Sequence, residues 1–312
     1  MSKEKSYSQI RNEFYEKYRT KIVPKVLCFE KERKTKLAIA TITASILTLI
    51  GLVLIYYSFF YQISSNAREG LLKLALILMS LACGAWYMIK RNFESKIKEK
   101  IMPIVCSCFD NLTWSEFLCD DGSIIKDSGV VPNFTREDYD DIFTGSHRDV
   151  RIKIIESEFE IGSGKNRRIV FKGAIVRLDM NKNFSSHTVI APDSIFHSVP
   201  VNGLRHTVLE DTNFEKKYDV FTNDEVDARY LLTPSFMERL KAVQTAFKAD
   251  KFRCAFYKDC LFIALLCDKD LFSLCSLVKP IDDSQQYFQM FEEILSIIKL
   301  IDHFKLDQKI GL

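Results

Sequence analysis

Residues 37–63 read LAIATITASILTLIGLVLIYYSFFYQI, which is 27 consecutive positions without a charged side chain. A hydrocarbon core about 30 Å thick requires roughly 20 helical residues, so this run is long enough to span a bilayer. A second apolar run, residues 71–89, is interrupted only by Lys73. Lys73 lies in the first turn of that run, where its long side chain can reach the headgroup region. The two runs predict a pair of transmembrane helices joined by an external loop, residues 64–70.

Positive charge is concentrated on the flanks of these runs. Residues 1–36 contain eleven Lys or Arg against five Asp or Glu, although the net charge of the whole chain is only +3. Lys90, Arg91 and three further lysines follow the second run, whereas the loop holds a single basic residue, Arg68. Cytoplasmic flanks carry the excess of Lys and Arg, so both termini are predicted to be cytoplasmic. Because the basicity is confined to these flanks, no nucleic-acid partner is predicted.

The remainder of the chain predicts a cytosolic α+β domain with a mainly antiparallel sheet. Residues 150–161 and 168–180 are rich in β-branched and aromatic side chains, and residues 162–166 (GSGKN) between them are typical of a hairpin turn. Short turns between neighbouring strands favour antiparallel pairing. The predicted strands cover residues 150–161, 168–180, 187–191, 205–210, 218–221, 252–257 and 260–267, and the predicted helices cover residues 223–230, 234–249 and 285–305.

The predicted organisation therefore has six segments. They are a basic cytosolic helix (1–36), transmembrane helix 1 (37–63), an external loop (64–70), transmembrane helix 2 (71–89), a helical connector (90–130) and the cytosolic α+β domain (131–312). The first segment is expected either to lie on the membrane surface or to pack against residues 91–119. The connector is expected to break near Pro103, and residues 120–133 are expected to form a loop because they are rich in Gly, Pro and Asp.

One stretch concentrates acidic residues, EDTNFEKKYDVFTNDEVDARYLLTPSFMERL at residues 210–240. A metal or acid–base site is one interpretation of this pattern. Helix capping is the favoured one, because Asn223 is a suitable N-cap and acids in the first turn interact well with the helix dipole. Arg229 and Glu238 are further candidates for a buried pair. The cluster with a speculative functional or structural role comprises Asp219, Asp224, Glu225, Asp227, Arg229 and Glu238.

No other part of the sequence predicts a catalytic, cofactor-binding or metal site. The five histidines are scattered, and no ligand stands at metal-binding spacing from any of them. The nine cysteines are odd in number and lie in apolar runs, which favours free thiols packed in the core. The tetrapeptide at residues 162–165 lacks the helix that a phosphate loop requires. The chain is therefore not expected to be an enzyme.

Three longer motifs carry a resemblance to a known family. They are YDDIFTGSHRDVRI (139–152), VFKGAIVRLDMNKNFSSHTVI (170–190) and LEDTNFEKKYDVFTNDEVDARYLLTPSFMERL (209–240). From about residue 135 to its C-terminus, the chain resembles an uncharacterised bacterial two-span membrane family, domain of unknown function 3137. The resemblance implies an inner-membrane protein with one cytosolic domain and supplies no activity. It also suggests a companion, a LemA-type membrane protein.

The expected function is that of a membrane-anchored scaffold or interaction module in a membrane-associated complex, with the lipid bilayer and a protein as its partners. A domain that senses a small molecule or an ion is one alternative. A membrane-tethered enzyme with an acidic site is the other. A concave polar pocket would favour the alternatives, whereas a filled core with an exposed apolar patch would favour the interaction module.

Overall fold

A computed structural model describes residues 5–61, 64–109, 111–116, 121–180, 186–193, 201–208, 212–281 and 284–304. The chain forms two compact units. The helical unit comprises residues 1–104 and 273–284, and the sheet unit comprises residues 105–272 and 285–312. The predicted last residues of the first span (62–63), of the strand at 205–210 (209–210) and of the final helix (305) lie outside the described residues, as does residue 120 of the predicted loop.

The helical unit consists mainly of long helices. Its elements are α1 (Tyr7–Lys17), a π-helical turn (Tyr18–Ile22), α2 (Val23–Phe60) and α3 (Ser65–Cys106). Two helical stretches, Tyr7–Phe60 and Ser65–Cys106, are long and apolar enough to cross a membrane, and only 11% of the most apolar window of each is buried. The predicted N-terminal region of long apolar helices is therefore confirmed.

The predicted break near Pro103 is wrong, because α3 continues through Pro103 and ends at Cys106. A proline inside a helix removes one backbone hydrogen bond and crowds the preceding turn. Pro103 lies in the last turn of α3. Few backbone hydrogen bonds of the helix follow it, so the helix tolerates the proline there.

A buried arginine fastens residues 273–281 within the helical unit. Arg33 is 5% exposed, and its Nη1 donates to the carbonyl of Leu277 at 3.0 Å. Its Nε and Nη2 donate to the two carboxylate oxygens of Glu30, both at 2.7 Å. The same Glu30 accepts the backbone N–H of Ile281 at 3.2 Å. Charge-assisted, bidentate pairs of this kind are among the stronger hydrogen bonds in proteins, so this Glu30–Arg33 pair holds the segment in place.

The sheet unit contains nine strands among the described residues, and every strand pair is antiparallel. The strands are β1 (Thr113–Ser115), β2 (Arg136–His147), β3 (Val150–Ile161), β4 (Arg168–Asp179), β5 (Thr188–Pro192), β6 (Arg205–Thr207), β7 (Tyr218–Thr222), β8 (Lys251–Tyr257) and β9 (Cys260–Leu266). Their order is β1-β2-β3-β4-β9-β8-β5-β7-β6. The predicted antiparallel sheet and the predicted hairpin turn at residues 162–166 are therefore confirmed.

Two predictions for residues 113–147 are wrong. Strands β1 and β2 were not expected, and the predicted loop at 120–133 contains a short helix, α4 (Gly122–Ser128). The polar sequence of β2 explains the first error, because Asp and Asn are depleted in strands and β-branched residues are enriched. Helix α4 begins beside Asp121 and ends at Gly129, which has a positive φ of 69°. Glycine adopts that left-handed conformation without steric cost.

The remaining helices lie after the middle of the chain. They are α5 (Thr212–Glu215), α6 (Glu225–Leu231), α7 (Pro234–Ala246) and α8 (Ser284–Phe304). One core cluster packs Ile125, Val130 and Phe134, at or after α4, against the sheet residues Phe159 and Phe262. Burial of aromatic and aliphatic side chains of this size stabilises a domain strongly.

Candidate functional site

An acidic cluster lies where β2 and β3 lose their regular register. The pairing of the two strands shifts between Tyr139 and Ile142. Two residues of β2, Asp140 and Asp141, therefore stand opposite a single residue of β3, Glu156. Such a bulge redirects side chains away from strict alternation. One ligand oxygen from each of the three residues lies within 4.8 Å of the others, and we refer to Asp140, Asp141 and Glu156 as the bulge cluster.

The members of the bulge cluster differ in burial and in their hydrogen bonds. Asp141 is fully buried, and its Oδ1 accepts the indole N–H of Trp114 at 2.7 Å. Glu156 accepts the backbone N–H of Leu271 through Oε1 at 2.9 Å. Its other oxygen, Oε2, is buried and has no hydrogen-bond partner among the described residues. An unpaired buried acceptor is costly, so this oxygen marks a place where a proton or a ligand would be favourable.

The electrostatic environment of Glu156 differs from that of an ordinary surface carboxylate. Burial raises the pKa of Glu156 from 4.5 to about 8. The N–H of Leu271 acts in the opposite direction, and the charges of Asp270, Asp141 and Asp140 raise the pKa further. Glu156 is therefore protonated near neutral pH unless a cation joins the cluster. Carboxylate oxygens are the ligands that Mg²⁺ and Ca²⁺ prefer, so the bulge cluster can hold either a proton or a hard divalent cation.

A second buried carboxyl, Glu293 of α8, has a different set of partners. Glu293 is fully buried, and its Oε1 accepts the side-chain amide of Gln289 at 2.8 Å. Burial raises its pKa from 4.5 to about 7, and Gln289, Lys269 and Lys248 act against that change. No other acid groups with Glu293 in a cluster that could hold a metal ion among the described residues. We therefore assign it a place in the core.

The acidic residues predicted at 210–240 do not form one site. Asp219 is buried on β7 and accepts from His206 at 3.2 Å. Asp224 is the N-cap of α6, because its Oδ1 accepts the N–H groups of Val226 and Asp227 at 2.9 and 3.2 Å. This hydrogen bonding satisfies backbone donors that the first turn of a helix leaves unpaired. The structure thus confirms helix capping, one residue later than the predicted cap at Asn223.

The other predicted residues lie on the surface. Glu225 and Arg229 approach each other to 3.8 Å on α6, with their side chains 60% and 57% exposed. Glu238 is exposed as well, and Asp227 is half-buried. The expected buried pair of Arg229 and Glu238 is therefore wrong, because both side chains face solvent and the arginine contacts its own helix. Exposed pairs spaced four residues apart contribute only about 0.3–0.5 kcal/mol.

The cysteines give no sign of chemistry. Cys106, Cys260 and Cys267 are buried, and burial raises the pKa of each thiol to about 12. A thiol is nucleophilic as the thiolate, so these three are inert near neutral pH. The expectation of free, core-packed thiols is confirmed for them and for Cys108, Cys254 and Cys275. It is wrong for Cys28 and Cys83, which are free but exposed, and Cys119 lies outside the described residues.

An open groove of about 360 Å³ in the sheet unit is lined mainly by polar residues. His187 and Tyr257 contribute two rings whose centroids are 4.7 Å apart and whose planes are tilted by 44°, and the carbonyl of Ser128 lies 2.8 Å from Nε2 of His187. Burial lowers the pKa of His187 below 6.5, so the ring is neutral near pH 7. The imidazole thus has a structural partner, and the groove lacks the convergent charges of a catalytic site.

The sequence contains one local indication of the bulge cluster. Asp140 and Asp141 are adjacent acids immediately before the apolar pair Ile142 and Phe143. Adjacent acids break the alternation of a strand, and in hindsight they mark a bulge. The third member, Glu156, is brought to them only by the pairing of β2 with β3, which a single sequence does not reveal.

Comparison with known proteins adds one finding. Residues 169–306 match a family described as "Protein of unknown function (DUF3137)". No curated protein and no solved structure matches the chain. The matched range includes the acidic residues of α6 and its surroundings, whereas the bulge cluster lies N-terminal to it. The match therefore confirms the family resemblance over residues 169–306 and leaves the chemistry of both sites to be argued from geometry.

Proposed function

On the premise that residues 169–306 belong to the DUF3137 family of unknown function, we propose that this chain is a membrane-anchored interaction module. The observation that carries the proposal is the exposure of the apolar helices. Side chains such as Leu49, Leu76 and Phe59 are 63–66% exposed along helices that are long enough to cross a bilayer. Apolar surface of that extent is stable in lipid and unfavourable in water.

The proposed orientation is a helical hairpin in the bacterial inner membrane, with both termini in the cytoplasm. It is supported by the concentration of Lys and Arg before α2 enters its apolar run and after α3 leaves its own. The test of insertion is alkaline carbonate extraction of membranes that contain the full chain. We expect the chain to remain in the pellet, and release into the supernatant would contradict insertion. Reporter fusions at each terminus test the orientation separately, and a periplasmic signal from either end would refute it.

The interaction proposal rests on α6 of the sheet unit. Val226 and Tyr230, four residues apart on α6, are 79% and 52% exposed. Residues at this spacing share one face of a helix, so they form a small apolar patch suited to a protein partner. A LemA-type membrane protein is the partner that the family resemblance suggests.

Affinity purification of the full chain in mild detergent tests this patch. We expect co-purified protein to be lost in Val226→Ser and retained in Ile169→Ser, a matched change at a 53% exposed apolar residue of β4. If the unmodified chain repeatedly purifies alone, the interaction module is refuted. Equal loss in both variants would refute the assignment to α6.

A second candidate function, cation sensing by the sheet unit, is favoured by the buried Oε2 of Glu156. A divalent cation held by the bulge cluster would provide the partner that this oxygen lacks and would neutralise the mutual repulsion of the three carboxylates. A ligand that binds only the folded state raises the unfolding midpoint by mass action. We therefore expect Ca²⁺, Mg²⁺ or Mn²⁺ to raise the thermal midpoint of the full chain in detergent.

The control for cation sensing lies on the same strand. Asp138 is exposed on β2, two residues before the cluster, so Asp138→Asn removes a nearby charge without touching the cluster. We expect the cation effect to persist in Asp138→Asn and to disappear in Glu156→Gln. No midpoint change with any of the three cations at saturating concentration would refute the candidate.

A further inference from the structure

Helices α2 and α3 run antiparallel, and two contacts fix their register. A Cβ atom on Gly51 would lie 3.3 Å from the side chain of Met79, so the helices approach closely there. Nearer the termini, Lys96 of α3 binds Glu32 of α2 at 2.7 Å. The same register brings Lys36, the last charged residue before the apolar run of α2, level with the first residues after the apolar run of α3.

The carboxylates near this level are already engaged. Glu30 binds Arg33 at 2.7 Å, and Glu32 binds Lys96 at 2.7 Å. Glu94 accepts the backbone N–H of Leu277 at 3.4 Å. These acids are therefore committed to other partners and leave the neighbouring cations uncompensated.

Three basic residues at this end of the apolar runs have side chains that make no hydrogen bond or ion pair with any described residue: Lys36, Lys90 and Arg91. Lys36 and Arg91 are exposed, and Lys90 is half-buried. At the opposite end of the hairpin Lys73 pairs with Glu69 at 2.6 Å, which leaves Arg68 as the one basic residue there, among the described residues, whose side chain makes no such contact. Most of the uncompensated positive charge, three residues against one, thus lies at the end of the apolar helices that holds Lys36, Lys90 and Arg91, where a bilayer would present its headgroups.

We infer that Lys36, Lys90 and Arg91 form a binding surface for anionic lipid headgroups, which rests on the membrane insertion proposed above. A phosphodiester headgroup supplies the negative charge that the three cations lack, at the depth set by the adjoining apolar runs. Basic residues next to a membrane-spanning helix gain about 1 kcal/mol each near an anionic surface. Arginine adds bidentate binding to phosphate oxygens.

The experiment measures phosphatidylglycerol binding by the purified full chain in neutral detergent, with native mass spectrometry and phosphatidylcholine as the reference lipid. We expect the unmodified chain to prefer phosphatidylglycerol. We expect the combined variant Lys36→Gln, Lys90→Gln and Arg91→Gln to bind it roughly fivefold more weakly for each charge removed. Soluble glycerol phosphate in excess is expected not to compete, and competition would instead indicate a site for a free anion and overturn the inference.

Two further variants make the result decisive. The matched control removes three exposed positive charges from the sheet unit through Lys165→Gln, Lys216→Gln and Lys251→Gln, and it should keep the preference. The charge-conserving variant Lys36→Arg, Lys90→Arg and Arg91→Lys should keep it as well. Equal binding of both lipids by the unmodified chain would overturn the inference while leaving insertion intact, because carbonate extraction reports insertion independently.

Discussion

Two glutamates, Glu30 of the helical unit and Glu156 of the sheet unit, show opposite changes from the same ordinary pKa of 4.5. The pKa of Glu30 is lowered to about 2, chiefly by the hydrogen bonds from Arg33. The pKa of Glu156 is raised to about 8, chiefly by burial. The difference follows from their partners, because a guanidinium stabilises a carboxylate and an apolar environment penalises it.

Glu30 has a hydrogen-bond partner for each of its carboxylate oxygens, whereas Glu156 has a partner for only one among the described residues. Both oxygens of Glu30 are bound by Arg33, and one also accepts the N–H of Ile281. Glu156 has one oxygen bound by Leu271 and one without a partner among the described residues. Glu30 therefore helps Arg33 to hold residues 273–281 in the helical unit. Glu156 keeps one acceptor oxygen that a proton or a cation could satisfy.

The largest effect is expected from breaking the completed pair. Arg33→Ala leaves Glu30 without its cation and the Leu277 carbonyl without its donor, so we expect a loss of about 3 kcal/mol in the helical unit. The measurement is hydrogen exchange of a peptide covering residues 273–281 in the detergent-solubilised chain, which should become much faster. Lys34→Ala is the control, because the Lys34 side chain is 72% exposed and its Nζ is 4.0 Å from Glu30, which is too far for a hydrogen bond. Unchanged exchange in Arg33→Ala would mean that the pair does not hold the segment.

The second prediction concerns the pH dependence of Glu156. Because its pKa is about 8 in the folded state and 4.5 ordinarily, the folded state retains a proton that the unfolded state loses between these values. Stability therefore falls as pH rises from about 4.5 to about 8, by on the order of 2 kcal/mol. In Glu156→Gln this contribution should vanish, which unfolding by urea at pH 5, 7 and 9 would measure. If the two chains show parallel pH profiles, the pKa of Glu156 is not raised.

The third prediction is the converse for Glu30. Its folded-state pKa of about 2 lies below the ordinary 4.5, so its stabilisation is fully present above about 4.5 and is lost as pH falls toward 2. Exchange of residues 273–281, corrected for its intrinsic pH dependence, should accelerate over this window by a factor corresponding to about 1–2 kcal/mol. Glu30→Gln should show faster exchange at neutral pH and little further change at low pH. An acceleration of the same size in both chains would assign the effect to another group.

Much of the fold could be predicted because its signals are local. The two apolar helices, the turn at residues 162–166 and the strands on either side are each encoded within a few adjacent residues. Strand β2 was missed because its first half, REDYDD, is polar and resembles a loop. It is a strand because β3 and β1 pair with it on either side, which is tertiary information that overrides local propensity.

The candidate sites also differ in how far the sequence predicts them. The capping role of the acids at 224–227 could be predicted, because a cap and its helix are neighbours in sequence. The bulge cluster could not, because Glu156 reaches Asp140 and Asp141 through a register shift between strands. Arg33 was visible only as one of several basic residues at the membrane flank, and its contact with Leu277 joins positions 244 residues apart.

The smallest expected changes in the free energy of unfolding come from two acidic residues at the start of α6. One accepts backbone hydrogen bonds, and the other acts only through its charge. Asp224 accepts two backbone N–H groups at the start of α6, whereas Glu225 lies in the first turn with its side chain 60% exposed. Asp224→Ala should therefore cost about 1 kcal/mol through loss of the cap, and Glu225→Ala only about 0.3 kcal/mol through the helix dipole. Urea unfolding of the two variants at pH 7 measures the difference, and added salt should reduce only the second effect. Equal losses would mean that Asp224 contributes by its charge, and the hydrogen-bonded cap would then have no separate energetic role.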